Sequence, residues 1–159
     1  MLAASVVTAC KTMAHNLNKS GLLEAANAYD ADTEVHEKTV RRTLDSAITT
    51  RHLLVKSTAA TTADINGAAT IPIGTVDNVL AAAEGGNVLL LGKGSTKKMV
   101  ASEAIAITDE IFTAASGKIQ NRPTASGTYY FLGLPLTTAA ADGDIIEVAD
   151  CVPVKVVVP

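Results

Sequence analysis

Chemistry in a polypeptide needs particular residue types at particular spacings, and several stretches of this chain come close enough to test. Gly86-Asn87-Val88-Leu89-Leu90-Leu91-Gly92-Lys93-Gly94 has the outline of a phosphate-binding loop. Such a loop puts four residues between its glycines, so that successive N–H groups cradle phosphate, and follows its lysine with a hydroxyl for magnesium. Here five residues intervene and Gly94 stands where the hydroxyl belongs, so the run reads as a buried strand followed by a hairpin turn. Asp30-Ala31-Asp32-Thr33-Glu34 begins like a calcium loop, but Val35 occupies the sixth position and Arg41 the twelfth, where Gly and Glu are required. It reads as a solvated acidic turn. His36-Glu37 lacks the second histidine one turn on that a zinc helix needs. His15, His36 and His52, with Cys10 and Cys151 near opposite ends, show no ligand spacing. Asp45, Ser46 and His52 are the types of a hydrolytic triad without a Gly-x-Ser-x-Gly turn. Lys97-Lys98-Met99 lacks the preceding Met of a carrier-protein lysine and reads as a charged, exposed hairpin edge. The sequence therefore assigns no catalytic residue, no cofactor and no metal site, and it reads as a non-enzymatic protein.

The elements that would have to position any site come next. The 159 residues suffice for one domain with an arm attached. The filling is 27 Ala, 19 Thr and 15 Val against five aromatics and no Trp. Small and β-branched residues build thin, closely packed sheets rather than aromatic-walled pockets. A net charge of −3, with Arg41-Arg42 and Lys97-Lys98 as the longest basic clusters, excludes a phosphate-backbone partner. No window approaches 18 apolar residues, so no membrane span is expected. Val7-Thr8-Ala9-Cys10 superficially resembles a lipoprotein cleavage box, but it follows a short apolar run without a basic start. Two distant thiols make no disulfide framework, and a reducing compartment is expected.

The chain changes character near residue 50. Before it, apolar residues keep helical spacing in pieces: Leu2, Val6, Val7, Cys10, Met13, Ala14 and Leu17, then Leu22 to Tyr29. A third, weaker stripe (Val40, Leu44, Ala47, Ile48) reads as a helix or equally as an extended arm ordered against a partner. After residue 50 the pattern is β: short apolar runs bounded by Asn66-Gly67, Gly85-Gly86, Gly92 to Gly94, Ser116-Gly117, Ser126-Gly127 and Asp142-Gly143-Asp144. Strands are expected at 53–57, 70–73, 88–91, 97–101, 105–107, 111–113, 128–132, 145–148 and 154–158, with Pro135 interrupting pairing. The expectation is a mainly β chain: a compact barrel or sandwich, β-tulip-like, over residues 50–159, preceded by an arm over 1–49 with helical or extended segments.

From Thr50 onward a series of phrases follows in order: Thr50-Arg51-His52-Leu53-Leu54-Val55-Lys56, Ile65-Asn66-Gly67-Ala68, Ile71-Pro72-Ile73-Gly74-Thr75-Val76 and Val88-Leu89-Leu90-Leu91-Gly92. Met99-Val100-Ala101-Ser102, Gly127-Thr128-Tyr129-Tyr130, Gly133, Ala139 to Asp144 and a valine-rich end complete it. This order resembles the capsid decoration, or cement, proteins of tailed bacteriophages. The resemblance covers about residues 50–159. It implies a structural virion protein, assembled in the host cytoplasm, that binds the exterior of the head. Its partners would be the major capsid protein and itself, as homotrimers at local three-fold positions that stabilise the shell lattice.

Six residues are interface candidates. Arg41, Arg42 and Arg51 carry guanidinium forks suited to carboxylates and would serve arm contacts, the alternative being ordinary solvated surface charges. Tyr129, Tyr130 and Phe131 form an aromatic cluster that reads as an interface anchor or equally as simple core packing, with Tyr130 facing opposite to the other two. The alternative reading is a β-barrel subunit of another phage structure, such as a tail or head-fibre base. A trimeric barrel hydrolase would need acidic, Ser and Gly motifs at several positions, and only the Asp142-Gly143-Asp144 turn is present.

Overall fold

The computed structural model describes residues 38–159, which form one compact unit beginning at Lys38. That unit is mainly β, as expected, and consists of a small closed barrel and a second five-stranded sheet. The expectations for the acidic turn at residues 30–34, for His15, His36 and Cys10, and for the first helical stripes lie outside the described residues.

The barrel comprises β1 (Thr39–Leu44), β2 (Leu53–Ser57), β3 (Thr62–Ile65), β4 (Gly74–Val76) and β5 (Gly85–Leu90), in spatial order β1-β3-β2-β4-β5. β1 closes it, running parallel to β3 and antiparallel to β5 through the register Thr39–Leu89 to Thr43–Gly85. Residues 38–49, which the sequence assigns to the arm, thus supply the closing strand. The helical stripe is replaced by a strand for a simple reason. Val40, Leu44 and Ile48 are spaced by four, which satisfies a period of two as well as a helical turn. With Thr39, Val40 and Thr43 β-branched, the strand wins. Val40, Leu44 and Ile48 all turn into the barrel core with Leu53, Val55, Ala63, Val76, Leu80, Val88 and Val100.

The second sheet contains β6 (Thr96–Val100), β7 (Ile111–Thr113), β8 (Ile119–Gln120), β9 (Gly127–Pro135) and β10 (Ile145–Val158), ordered β6-β10-β9-β7-β8. Its core gathers Met99, Ile105, Ile111, Ile119, Leu132, Ile146 and Val148, together with Leu54 and Leu91 from the barrel side. The two cores are knitted through β2 and β6. Leu53, Leu54 and Val55 are buried in succession because β2 is covered on both faces, and Val100 of β6 returns to the barrel core. Fully burying each such aliphatic side chain contributes roughly 1.5–3 kcal/mol.

Several expected elements differ. Residues 70–73 form no strand. Thr70 Oγ1 donates to Asn66 Oδ1 (2.8 Å) and accepts from Gly67 N–H (2.9 Å), and Pro72 has no N–H, so pairing settles only at Gly74. Gly74 can pair there because it has no side chain: a Cβ at this position would lie 2.2 Å from Leu89 O. Residues 105–107 reduce to a single bridge, Ile105–Ala139. The two expected C-terminal strands are one, β10, bent by an irregularity between Asp150 and Val154. Pro135 does not interrupt pairing; it sits opposite Val148 at the end of β9. Leu136 N–H donates to Glu147 O, so the nitrogen of Pro135 faces the other way, beyond the last rung of β7 at Ile111–Gly133. The turn at Gly92–Gly94, with φ of +70° and +67° at its two glycines, is no hairpin: it carries the chain from the barrel to β6. Asp150 Oδ2 accepts from Gly92 N–H (2.6 Å) and fastens that crossing to β10.

Candidate interaction surfaces

The side chains singled out by the sequence are scattered over three places. Arg41 and Arg42 are adjacent on β1 and therefore project to opposite sides of the barrel wall. Arg41 is exposed, and its guanidinium lies over Gly85, where a Cβ would come within 3.1 Å of it. Arg42 is half-buried; its Nη1 donates to Arg41 O (2.9 Å), and its Nε is buried without a hydrogen-bond partner. The pair therefore presents one free fork, that of Arg41, rather than two.

Arg51 lines a different feature, a cleft of about 380 Å³ with His52, Thr75, Asp77, Thr96, Lys97, Lys98 and Glu147 on its walls. His52 is held in the left-handed region at φ 67°, its N–H donating to Val76 O (2.6 Å), and its Nδ1 lies 3.3 Å from Asp77 Oδ1. Burial holds its pKa below the ordinary histidine value; the Asp77 charge opposes that shift, and Lys98 and Arg51 reinforce it. Arg51, Lys97 and Lys98 share the cleft with Asp77 and Glu147; Lys97 is engaged by Ser95 Oγ, and Thr96 Oγ1 donates to Glu147 (2.5 Å). Asp45 is engaged elsewhere, accepting from Thr58 Oγ1 (2.5 Å), so the triad types are not brought together. Among the described residues no group of three His, Cys, Asp or Glu converges on one point. Of the lysine pair, Lys98 is exposed, but Lys97 is buried opposite Val148, which corrects the reading of both as an exposed edge.

The aromatic cluster lies on β9, and its alternation is as read. Tyr130 packs toward the core of the second sheet, while Phe131 turns outward with Tyr129. Phe131 meets Phe112 edge-on, with ring centroids 5.6 Å apart. The two rings, with Val154 and Val156 of β10, floor a shallow apolar cleft of about 240 Å³ closed at one rim by the Arg122–Glu110 ion pair (3.4 Å). Thr113 on β7 holds this region in place. It is fully buried, its Oγ1 donates to Ala68 O (2.5 Å), and it accepts from Tyr130 N–H (3.0 Å). Beyond the cleft, exposed apolar side chains continue along β9 and β10: Leu134 is 53% exposed, Val152 at the bend 66%, and Val157, on the opposite face of the ribbon from Val154 and Val156, 64%. Sequence reading missed Thr113 and the exposed β10 valines. The valine run at 154–158 was visible, but which of its sides lacks a neighbour depends on where β6 ends. Cys151 is half-buried at the bend of β10, and burial raises its thiol pKa, assisted by the Asp150 charge.

Comparison with known proteins gives a fold and no family. No protein-family model matches the chain, and no curated protein does. Among solved structures it is similar to the head fiber gp8.5 N base of bacteriophage phi29, at 16% identity and a TM-score of 0.54, over 70% of this chain and 92% of that one. At that identity the likeness is one of fold.

Proposed function

We propose that this protein is a structural component of a tailed-phage virion that binds the outside of the head and braces its lattice of major capsid subunits. The observation that carries the reading is the fold shared with a phage head-fibre base, since the ordered phrases from Thr50 to the valine-rich end independently resemble capsid decoration proteins. The mechanism is mechanical. A thin β-domain joins neighbouring subunits, and many copies acting together gain strength because each added contact forms at high effective concentration. In this proposal copies sit at the local three-fold positions of the shell, with Arg41 and Arg51 offering forks to shell carboxylates and residues 1–37 serving as the lattice-binding arm. The experiment is titration of heads lacking the protein, counting bound copies per capsid subunit and measuring the heads' resistance to heat. Saturation at a fixed lattice ratio with a raised disruption temperature is expected.

A second reading has a specific observation behind it, because the structural neighbour is itself the base of a head fibre. A fibre base would saturate at fewer sites and leave the disruption temperature of the heads unchanged. The same titration therefore separates the two.

A further inference from the structure

β10 outruns its neighbours. β6 covers it only from Ile145 to Ala149, and beyond the bend at Asp150–Val154 it keeps β9 alone among the described residues. β7 reaches β9 no further than the Phe112–Phe131 rung, so Gly127–Tyr130 and Lys155–Val158 form a two-stranded ribbon. Such a ribbon is marginal in water without a third strand or a cover. One hydrogen bond fixes which main-chain groups of β10 no other described residue claims. Tyr130 N–H donates to Thr113 Oγ1 and so points away from β10. Its register partner Lys155 therefore turns its own N–H and C=O away from β9, and by alternation Val157 does the same. Pro153 shares that orientation, at the one kind of strand position where a missing N–H leaves nothing unpaired.

The segment that fits this edge is the edge itself. We propose that two copies of the chain pair antiparallel through β10 about a two-fold axis at Val156, giving a continuous sheet from the β9 of one copy to the β9 of the other. Run against itself, Val154-Lys155-Val156-Val157-Val158 sets Val154 opposite Val158, Val156 opposite Val156 and Lys155 opposite Val157. Each Lys155–Val157 pair then exchanges both of its hydrogen bonds, and β-branched side chains face one another on either side. Other registers fail on named residues. Centred on Lys155, the pairing sets two ammonium groups face to face. Centred on Val157, it sets Lys155 against Pro159, which has no N–H to give. Centred on Val156, Pro153 and Pro159 fall opposite each other and stop the ladder at both ends, so the pair closes instead of growing. The inference stands on the β10 edge and does not depend on head binding. On a shell, local two-folds relate neighbouring three-fold positions, so the same contact would link copies across the lattice.

The test uses the full chain carrying Cys10→Ser, Cys151→Ser and Val156→Cys, oxidised and run on a denaturing gel without reductant. At the centre of the two-fold, the Cα atoms of an antiparallel non-bonded pair lie roughly 4.5 Å apart, within disulfide reach. Covalent pairs are expected for Val156→Cys, and single chains for Val154→Cys, which faces Val158. In solution the unmodified protein should sediment as two chains, and Val157→Pro, which removes an outward N–H that β9 does not use, as one chain with unchanged circular dichroism. Single chains for Val156→Cys, equal cross-linking at residue 154, or an unmodified protein of one or three chains would overturn the proposal. None of these readouts involves heads, so failure here leaves the functional reading to its own titration.

Discussion

Thr113 shows how much a single hydroxyl can hold. It sits fully buried between the Ala68 carbonyl and the Tyr130 N–H, joining a barrel loop, β7 and the root of the β9 ribbon. Thr113→Val keeps the shape and leaves both part-buried main-chain groups without that partner, at about 1–3 kcal/mol for each. Urea unfolding should therefore show a loss of about 2–6 kcal/mol. His52 gives a prediction in pH. Its folded-state pKa lies below the unfolded value of 6.5, chiefly through burial. The unfolded chain thus takes up the proton first, so the contribution of neutral His52 is complete above pH 6.5 and is lost as the pH falls through the depressed value. Thermal unfolding between about pH 7.5 and 5 should show that decline, and His52→Gln should flatten it. A decline of equal slope in the glutamine variant would assign the effect to another group.

The strands divide by how much of their pairing is local. Leu53–Ser57 and Ile111–Thr113 fall where the sequence puts them, because each is a short apolar run between turn residues. β1 was not legible, since the spacing of Val40, Leu44 and Ile48 serves a helix and a strand equally, and its partners Asn87 and Ala63 lie far along the chain. β9 and β10 were legible as strands but not in length. Pairing continues across an irregularity inside both strands, beside which Gly133, at φ 144°, brings the position of its missing Cβ within 2.1 Å of Ala149 O. The aromatic alternation at 129–131 was readable from period two alone, whereas the free β10 edge required knowing where β6 stops. β1 also fixes where the arm can be cut. Removing residues 1–37 should leave a cooperatively folding barrel, whereas removing residues 1–49 deletes the closing strand and with it Leu44 and Ile48. Each loss of a buried aliphatic of this size costs about 2–5 kcal/mol. Calorimetry should show a sharp transition for the shorter truncation, and a broad or absent one for the longer. A sharp transition of equal temperature in both would contradict the assignment of β1 as the barrel's closing strand.

At the scale of the whole molecule, the described residues form a β-domain with two knitted cores, whose distinctive surfaces include exposed apolar side chains on β9 and β10 and the β10 edge beyond β6. Those features suit a protein that works by being held between other proteins. Bracing a shell asks for broad, weak, repeated contacts, and the collective strength comes from copy number rather than from any one residue. Shortening the chain to residues 38–159 should, on this account, weaken attachment to heads while preserving the β-fold, because the proposed arm is lost while Arg41 and Arg51 remain. The most direct measurement is co-sedimentation of the purified full-length chain with heads that lack it. The account predicts that the chain pellets with the heads in proportion to capsid subunits until it saturates. A chain that stays in the supernatant at every concentration, with heads shown to be intact, would contradict it.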